Sequence, residues 1–492
     1  MNSQFGERPV VALTGASGYI GQNLLRKLTK FADVIALSRN GDKHEDTEHV
    51  TWRSCDLFSL SDAEKGLKGA DFAVYLVHSM KPSAKLTQGS FEDMDIILAD
   101  NFAQAAQRQG VKQIVYLSGL IPKSRTLSRH LQSRLEVEKI LGSYEVPVTT
   151  IRAGLIVGPK GSSFPILAKL VRRLPVMTLP KWTRTKTHPI ALPDVLHALD
   201  YSIGNPQLSG ESIDVGGPEV MTYKDMMHQT AEVMGKKPIF INVPFLSIKL
   251  SRLWVSLVTG SSKEMVYPLI ESLSYPMTAQ PENMSKDVSY GKIPFKEAAC
   301  TSLKEEKREQ DAAKKTLKPK TPIIQYDVRS VQRIPIPEGK NALWVARYYT
   351  TWLSHLVSPF LRVEEDEDQN CQICIMFSNL PLLELSYSPE RSTPNRVLYY
   401  ITGGIFENAE KNERGRLEFR QIPGGQECIV AIHDYMPSLP WFIYKYTQAK
   451  AHLWVMYQFK RHLKNCIKQG ETLEEKRIPQ TQIRTEKEKV LR

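Results

Sequence analysis

The sequence predicts an α/β chain: a doubly wound parallel sheet of Rossmann type first, then an α+β domain with an antiparallel sheet and a long C-terminal helix. Three observations carry this. Apolar runs alternate with helix-period stretches from residue 10 to 120. A glycine turn, TGASGYIG (14–21), stands between the first apolar run and the first helical stretch. Beyond residue 344 an aromatic helical stretch, WVARYYTTWLSHLVSPF, precedes short alternating runs and one long aromatic-bearing helix at about 440–468.

Val10-Val11-Ala12-Leu13 reads as a buried parallel strand, and Asn23 to Leu28 has helical apolar spacing. Between them Gly15 permits the tight turn, Gly18 lets backbone approach a pyrophosphate, and Gly21 lets helix and strand pack closely. Free amides at the start of the helix would hold the anion. The spacing is G-x-x-G-x-x-G, so the strand and helix on either side, more than the glycines themselves, make this a dinucleotide fingerprint. The competing reading is a glycine turn with no ligand.

Residues 33–38 form the second strand and end at Ser38-Arg39 with no acid. An acid there would bind a ribose 2′-hydroxyl and repel a 2′-phosphate. Arg39 could pair a 2′-phosphate bidentately, which favours NADP(H) over NAD(H); the alternative is a surface arginine. Residues 50–57 give a third strand, 72–77 a fourth followed by His78, 92–109 an amphipathic helix and 113–119 a fifth strand.

TGASGYIG, CDL (55–57), IVYLSG (114–119), VPVTTIRAGLIVGP (146–159), LPDV (192–195) and DVGGPEVMTY (214–223) together resemble the atypical and extended short-chain dehydrogenase/reductase families, on the NmrA-like and complex-I-subunit-like branch. The resemblance covers residues 8–290. It implies a cofactor site built from Thr14, Gly15, Ser17, Gly18, Tyr19, Ile20 and Gly21. It further implies that Asp56 and Leu57 contact adenine and that the Val77-His78-Ser79 turn passes near the ribose.

Such families reduce carbonyls with a Ser, a Tyr and a Lys, the last two as Y-x-x-x-K on one helical face. Lysine lowers the tyrosine pKa so that the phenol exchanges protons near neutral pH. Ser118 matches the serine, but the helix at 129–141 carries His130 and Arg134 at the matching positions and no tyrosine. His130, with an ordinary pKa of about 6.5, could shuttle the proton in place of the tyrosine, and if it does the rate should fall as pH rises through that value. Arg134 is expected to hold the ribose or orient a substrate. Alternatively the two are a solvent-facing pair.

Residues 164–174 read as a basic amphipathic helix, and PKWTRTKTHPI (180–190) as a basic loop whose Trp182 either meets an anionic or aromatic ligand or packs on the core. Residues 238–276 are apolar and helical, interrupted by Lys249 and Arg252; packing in a core or between domains is expected over lying on a membrane surface. Residues 291–322 read as a charged linker (with an exposed helix as the alternative over 296–320), 323–468 as the second domain and 469–492 as a charged tail. GRLEFRQIPGG (415–425) and the last helix resemble a domain of unknown function appended to this reductase branch. A helix-grip plan with a small-molecule cavity follows by analogy.

The chain has 492 residues and a net charge of +12 spread along its length, so a solvated surface is expected and no nucleic-acid partner. No 18-residue uncharged apolar run and no apolar signal core are present, and six cysteines are sparse, which points to the cytoplasm. Cys371 and Cys374 form one C-x-x-C without a second pair, so core cysteines are expected and no metal site. Three functions fit: an NAD(P)-dependent oxidoreductase with a degenerate Tyr-x-x-x-Lys site, a non-catalytic NADP(H)-sensing module, or an accessory subunit of a membrane-associated assembly.

Overall fold

The computed structural model describes residues 8–79, 86–161, 163–243, 246–315, 328–358, 360–376, 380–407 and 414–469. Contacts divide the chain into two units, 1–83 with 90–325 and 84–89 with 326–492.

The first unit is built on a seven-stranded parallel sheet. Its strands run in the order Ser212–Val215, Val148–Ala153, Gln113–Gly119, Phe72–Tyr75, Val10–Thr14, Asp33–Ser38, Val50–Ser54. Chain order reverses beside Val10–Thr14, which pairs with Asp33–Ser38 on one side and Phe72–Tyr75 on the other. A crevice at the carboxyl ends of the strands is therefore expected at that point, the usual place for a ligand in a doubly wound sheet. The helices Tyr19–Leu28, Leu60–Leu67, Phe91–Arg108 and Arg129–Leu141 cover the sheet. Its interior strands read as near-continuous Val, Ile, Leu and Ala because both faces are buried.

A second core in this unit gathers the helices Phe164–Arg173, Tyr223–Val233, Ile248–Thr259 and Lys263–Ser272 with the start of Phe295–Lys315. Two expectations change here. The segment read as linker begins as a helix whose Phe295, Ala298 and Ala299 are buried in that core. The stretch expected to pack inside does so through Val255, Val266 and Ile270 but leaves Leu250, Leu253 and Leu257 exposed on the outer face of the Ile248–Thr259 helix. Trp182 is buried in this core, edge-on to Tyr223 at 6.0 Å, while Lys181 and Arg184 are exposed.

The second unit holds a sheet in the order Leu361–Glu365, Cys371–Ile375, Pro381–Tyr387, Arg396–Gly403, Arg416–Gln421, Glu427–Tyr435, Val328–Pro335, all antiparallel neighbours. The expected antiparallel sheet is in fact mixed, because the short strand Leu86–Gln88 joins its edge in parallel with Val328–Ser330. The helices Ala342–Val357 and Gln448–Gln469 share one core with the sheet. Tyr349, Trp352 and Phe459 fill that core, the two outer rings lying 5.0 and 4.8 Å from Phe459. All six cysteines are free, and Cys371 and Cys374 are buried. Among the described residues no cluster could hold a metal ion, and no helix is long and apolar enough to cross a membrane.

Candidate dinucleotide site and adjoining cavity

The glycine turn has the geometry its residues require. Gly15 sits at φ +64°, where a side chain would be strained. A Cβ at Gly21 would fall 2.1 Å from the Gly15 carbonyl oxygen, so helix and turn touch backbone to backbone. Gly18 is exposed and extended (φ −77°, ψ 170°) as the N-cap of Tyr19–Leu28; its own N–H donates to the Gly15 carbonyl at 2.8 Å. No side chain caps this helix, which leaves its first amides open to an anion. Thr14 is engaged elsewhere. Its hydroxyl donates to the Val74 carbonyl at 3.1 Å and accepts from the Leu76 N–H at 2.9 Å, tying the two central strands. Tyr19 is half-buried against Gly158, where a Cβ would lie 2.6 Å from its hydroxyl, and Ile20 packs on the core.

At the end of the second strand the Ser17 and Ser38 hydroxyls lie 3.3 Å apart, and Arg39 beside them is exposed. Asp56 accepts from the Phe58 N–H at 3.1 Å within its own turn, and the Leu57 carbonyl accepts at 2.8 Å from Asn101 Nδ2 on the Phe91–Arg108 helix. Val77 is half-buried and His78 exposed.

Arg134 and His130 both turn inward and are not a solvent-facing pair. Arg134 is buried, with a terminal guanidinium nitrogen 3.5 Å from Asp95 Oδ2. Asp95 in turn accepts from the Ser79 N–H at 2.6 Å and the Ser79 hydroxyl at 2.8 Å. Arg134 thus braces the turn that follows Val77 and His78. Burial pushes the Asp95 carboxyl up, with Arg134 and the Ser79 donors pulling the other way. Tyr75 and Tyr116 are fully buried here, and both phenols are pushed up by burial. The Tyr116 hydroxyl lies beside Ser118 and Arg134. His130 is pushed down to about 3, chiefly by burial and then by the Arg134 and His78 charges. It is therefore neutral at physiological pH, and its Nδ1 has no hydrogen-bond partner among the described residues.

Against Gly119 and His130 opens a cavity of about 150 Å³, continuing past Leu167, Trp182, Tyr223, Leu269 and Ile270. Its lining contains no Asp, Glu, Lys or Arg. Ser128, which caps the Arg129–Leu141 helix, shares a 2.8 Å hydrogen bond with Ser272 in the lining, so the helix bearing His130 is tied to the far wall.

Residues 15–160 match a family model described as NAD(P)H-binding. Residues 15–160 of the first unit are an NAD(P)H-binding domain by that match, and the chain is similar to short-chain dehydrogenase/reductase family members. Its relatives are distant. The auxiliary protein GraX of Staphylococcus aureus is 35% identical over 144 residues, 29% of this chain and 43% of GraX. Ceramide reductase of Caulobacter vibrioides is 26% identical over 246 residues, 48% of this chain and 74% of that protein. A mitochondrial NADH dehydrogenase (ubiquinone) 1 alpha subcomplex subunit 9 of Arabidopsis thaliana is 21% identical over 245 residues, 48% and 60% of the two chains. The chain thus spans less than half the length of GraX.

For this NAD(P)H-binding domain the glycine turn fits a nicotinamide dinucleotide, since the open amides at Gly18 and beyond meet the need of a pyrophosphate. Sequence reasoning missed Tyr116, Asp95 and the cavity. Tyr116 stands two residues before Ser118 on one strand, so alternation alone puts both on one face. Asp95 and the cavity walls come from elements far apart in sequence and carry no local signal.

Proposed function

We propose that the first unit is an NADPH-dependent reductase of an uncharged, largely apolar carbonyl compound. The observation that carries this reading is the cavity lined without charge that begins at Gly119, next to Ser118 in the chain, and His130. The dinucleotide, when bound, supplies a hydride. The chain supplies everything else. The amides after Gly18 hold the pyrophosphate; Ser17, Ser38 and Arg39 form a polar end suited to a 2′-phosphate. Asp56, Leu57, Val77 and His78 border the adenosine. Ser118 and neutral His130 donate hydrogen bonds to the carbonyl oxygen and fix its position.

His130 is too weak a base to carry the transferred proton as imidazolium, so it orients the substrate. Tyr223, the tyrosine among the described lining residues and pushed up to about 12 by burial, would supply the proton that the carbonyl oxygen takes up as hydride arrives. A relative named ceramide reductase is in keeping with an apolar substrate. The missing Tyr-x-x-x-Lys pair supports a second reading, a module that binds NADPH and signals without turnover.

The test is to titrate the purified protein with NADPH and NADH, then follow NADPH oxidation against apolar and anionic aldehydes, ketones and quinones. Turnover of apolar members alone is expected, reduced by His130→Phe or Tyr223→Phe. Tight NADPH binding with no turnover anywhere would favour the sensor.

A further inference from the structure

The Ile248–Thr259 helix packs Val255, Trp254 and Val258 on the second core and carries a second apolar face outward. It buries Ser251 (0% exposed), Val255 (0%) and Thr259 (2%), and presents Leu250 (51%), Leu253 (48%) and Leu257 (79%) outward. The three leucines recur at spacings of three and four, which puts them on one helical face. A surface helix normally turns polar residues outward, and a contiguous exposed apolar stripe marks a surface that something covers.

The charges around the stripe say what. Lys249 lies on the helix itself and Lys263 opens the next one; both are exposed. Arg173 donates to the Val258 carbonyl at 2.5 Å, at the leucine stripe's C-terminal end. Lys236 bonds the Arg172 carbonyl, and Lys237 follows it. The acids in the neighbourhood are mostly occupied: Glu271 pairs with Arg252, Glu306 with Arg172 and Glu232 with Lys296. Glu264 is exposed.

We propose that this face docks the protein on an anionic lipid bilayer, the helix lying in the interface plane. Apolar insertion combined with a basic rim is the pattern of interfacial helices, and a twelve-residue helix of about 18 Å is long enough to lie flat. A second copy of the chain suits the stripe poorly, because a two-fold contact would set the same cations against themselves. The docked helix packs on Lys263–Ser272, whose Val266, Leu269 and Ile270 line the cavity, so an apolar molecule leaving the bilayer meets the substrate space one helix away. The docking itself is measured without turnover and stands apart from the reductase reading.

The test is flotation of the full chain with vesicles of phosphatidylcholine alone and of phosphatidylcholine mixed with phosphatidylglycerol. Wild type is expected to float with the anionic vesicles about tenfold more than with the neutral ones. The doubly substituted Leu253→Glu, Leu257→Glu protein is expected to lose that binding while its circular dichroism and dinucleotide affinity stay unchanged. Absence of wild-type binding, or flotation of the folded double variant at the wild-type level, overturns the proposal. So does a wild-type dimer in sedimentation equilibrium that the double variant splits, which would make a second copy the occupant.

Discussion

Gly18 and Gly21 stand three residues apart and fail in different ways. Gly18 is exposed with an ordinary φ, and a Cβ there would meet only the Gly15 oxygen, at 3.0 Å. Gly18→Val is therefore expected to abolish dinucleotide binding in calorimetry while shifting the melting temperature little. Gly21→Val drives a side chain into backbone and is expected to destabilise by about 1–3 kcal/mol or more, read in a denaturant titration. Equal loss of stability in both would remove the anion-binding role from Gly18. Arg39→Ala is expected to weaken NADPH by roughly ten- to a hundredfold, a charge-assisted contact of about 1.5–3 kcal/mol, and to leave NADH nearly unchanged. At His130 the environment corrects the sequence expectation. With its pKa near 3, the rate should show no inflection from this group between about pH 5 and 8. Its linkage to stability has a definite sign. The folded pKa lies below the unfolded value, so the stability it contributes is present above about pH 6.5 and drains as pH falls toward 3. The slope is at most about 1.4 kcal/mol per pH unit, and His130→Gln should flatten the acid side of an unfolding free-energy profile from denaturant titrations by up to that slope.

Elements were more legible than their surroundings. The second strand at 33–38, the fifth at 113–119 and the helix at 129–141 match the sequence reading, because each is a clean apolar or helical period bounded by turn residues. Burial direction was not legible for the Ile248–Thr259 helix. Its hydroxyl face packs inward on neighbours contributed by distant segments, and hydropathy alone assigns the leucines to the core. The same limit hid the link between Phe91–Arg108 and Arg129–Leu141, which rests on Asp95 meeting Arg134 and Ser79. Asp95→Ala would leave the Arg134 guanidinium buried without this carboxylate. It is expected to cost about 3–5 kcal/mol and, by freeing the turn after His78, to weaken dinucleotide binding as well. Asp95→Ala with wild-type stability in a denaturant titration would mean that Arg134 is held by something else.

At the scale of the molecule the charged stretch after residue 311 remains the expected point of first tryptic cleavage, in KKTLKPKTP (314–322). The fragments should nevertheless co-elute in size exclusion. The N-terminal piece contains Leu86–Gln88, which is a strand of the second unit's sheet. Separation without denaturant would show that this pairing does not hold. Sequence reasoning drew the boundary as one cut because a three-residue strand has no period to read; the partner strand Val328–Pro335 was missed as well. The excursion has a consequence for ancestry. Residues 84–89 belong to the second unit although they interrupt the first in sequence, so a gene fusion at the chain's end would account for the tail and not for this strand. A crossover near residue 325 would discard the sheet and strand the loop that completes it. If the tail and the internal loop were gained together, sequences that lack the one should be short in the other.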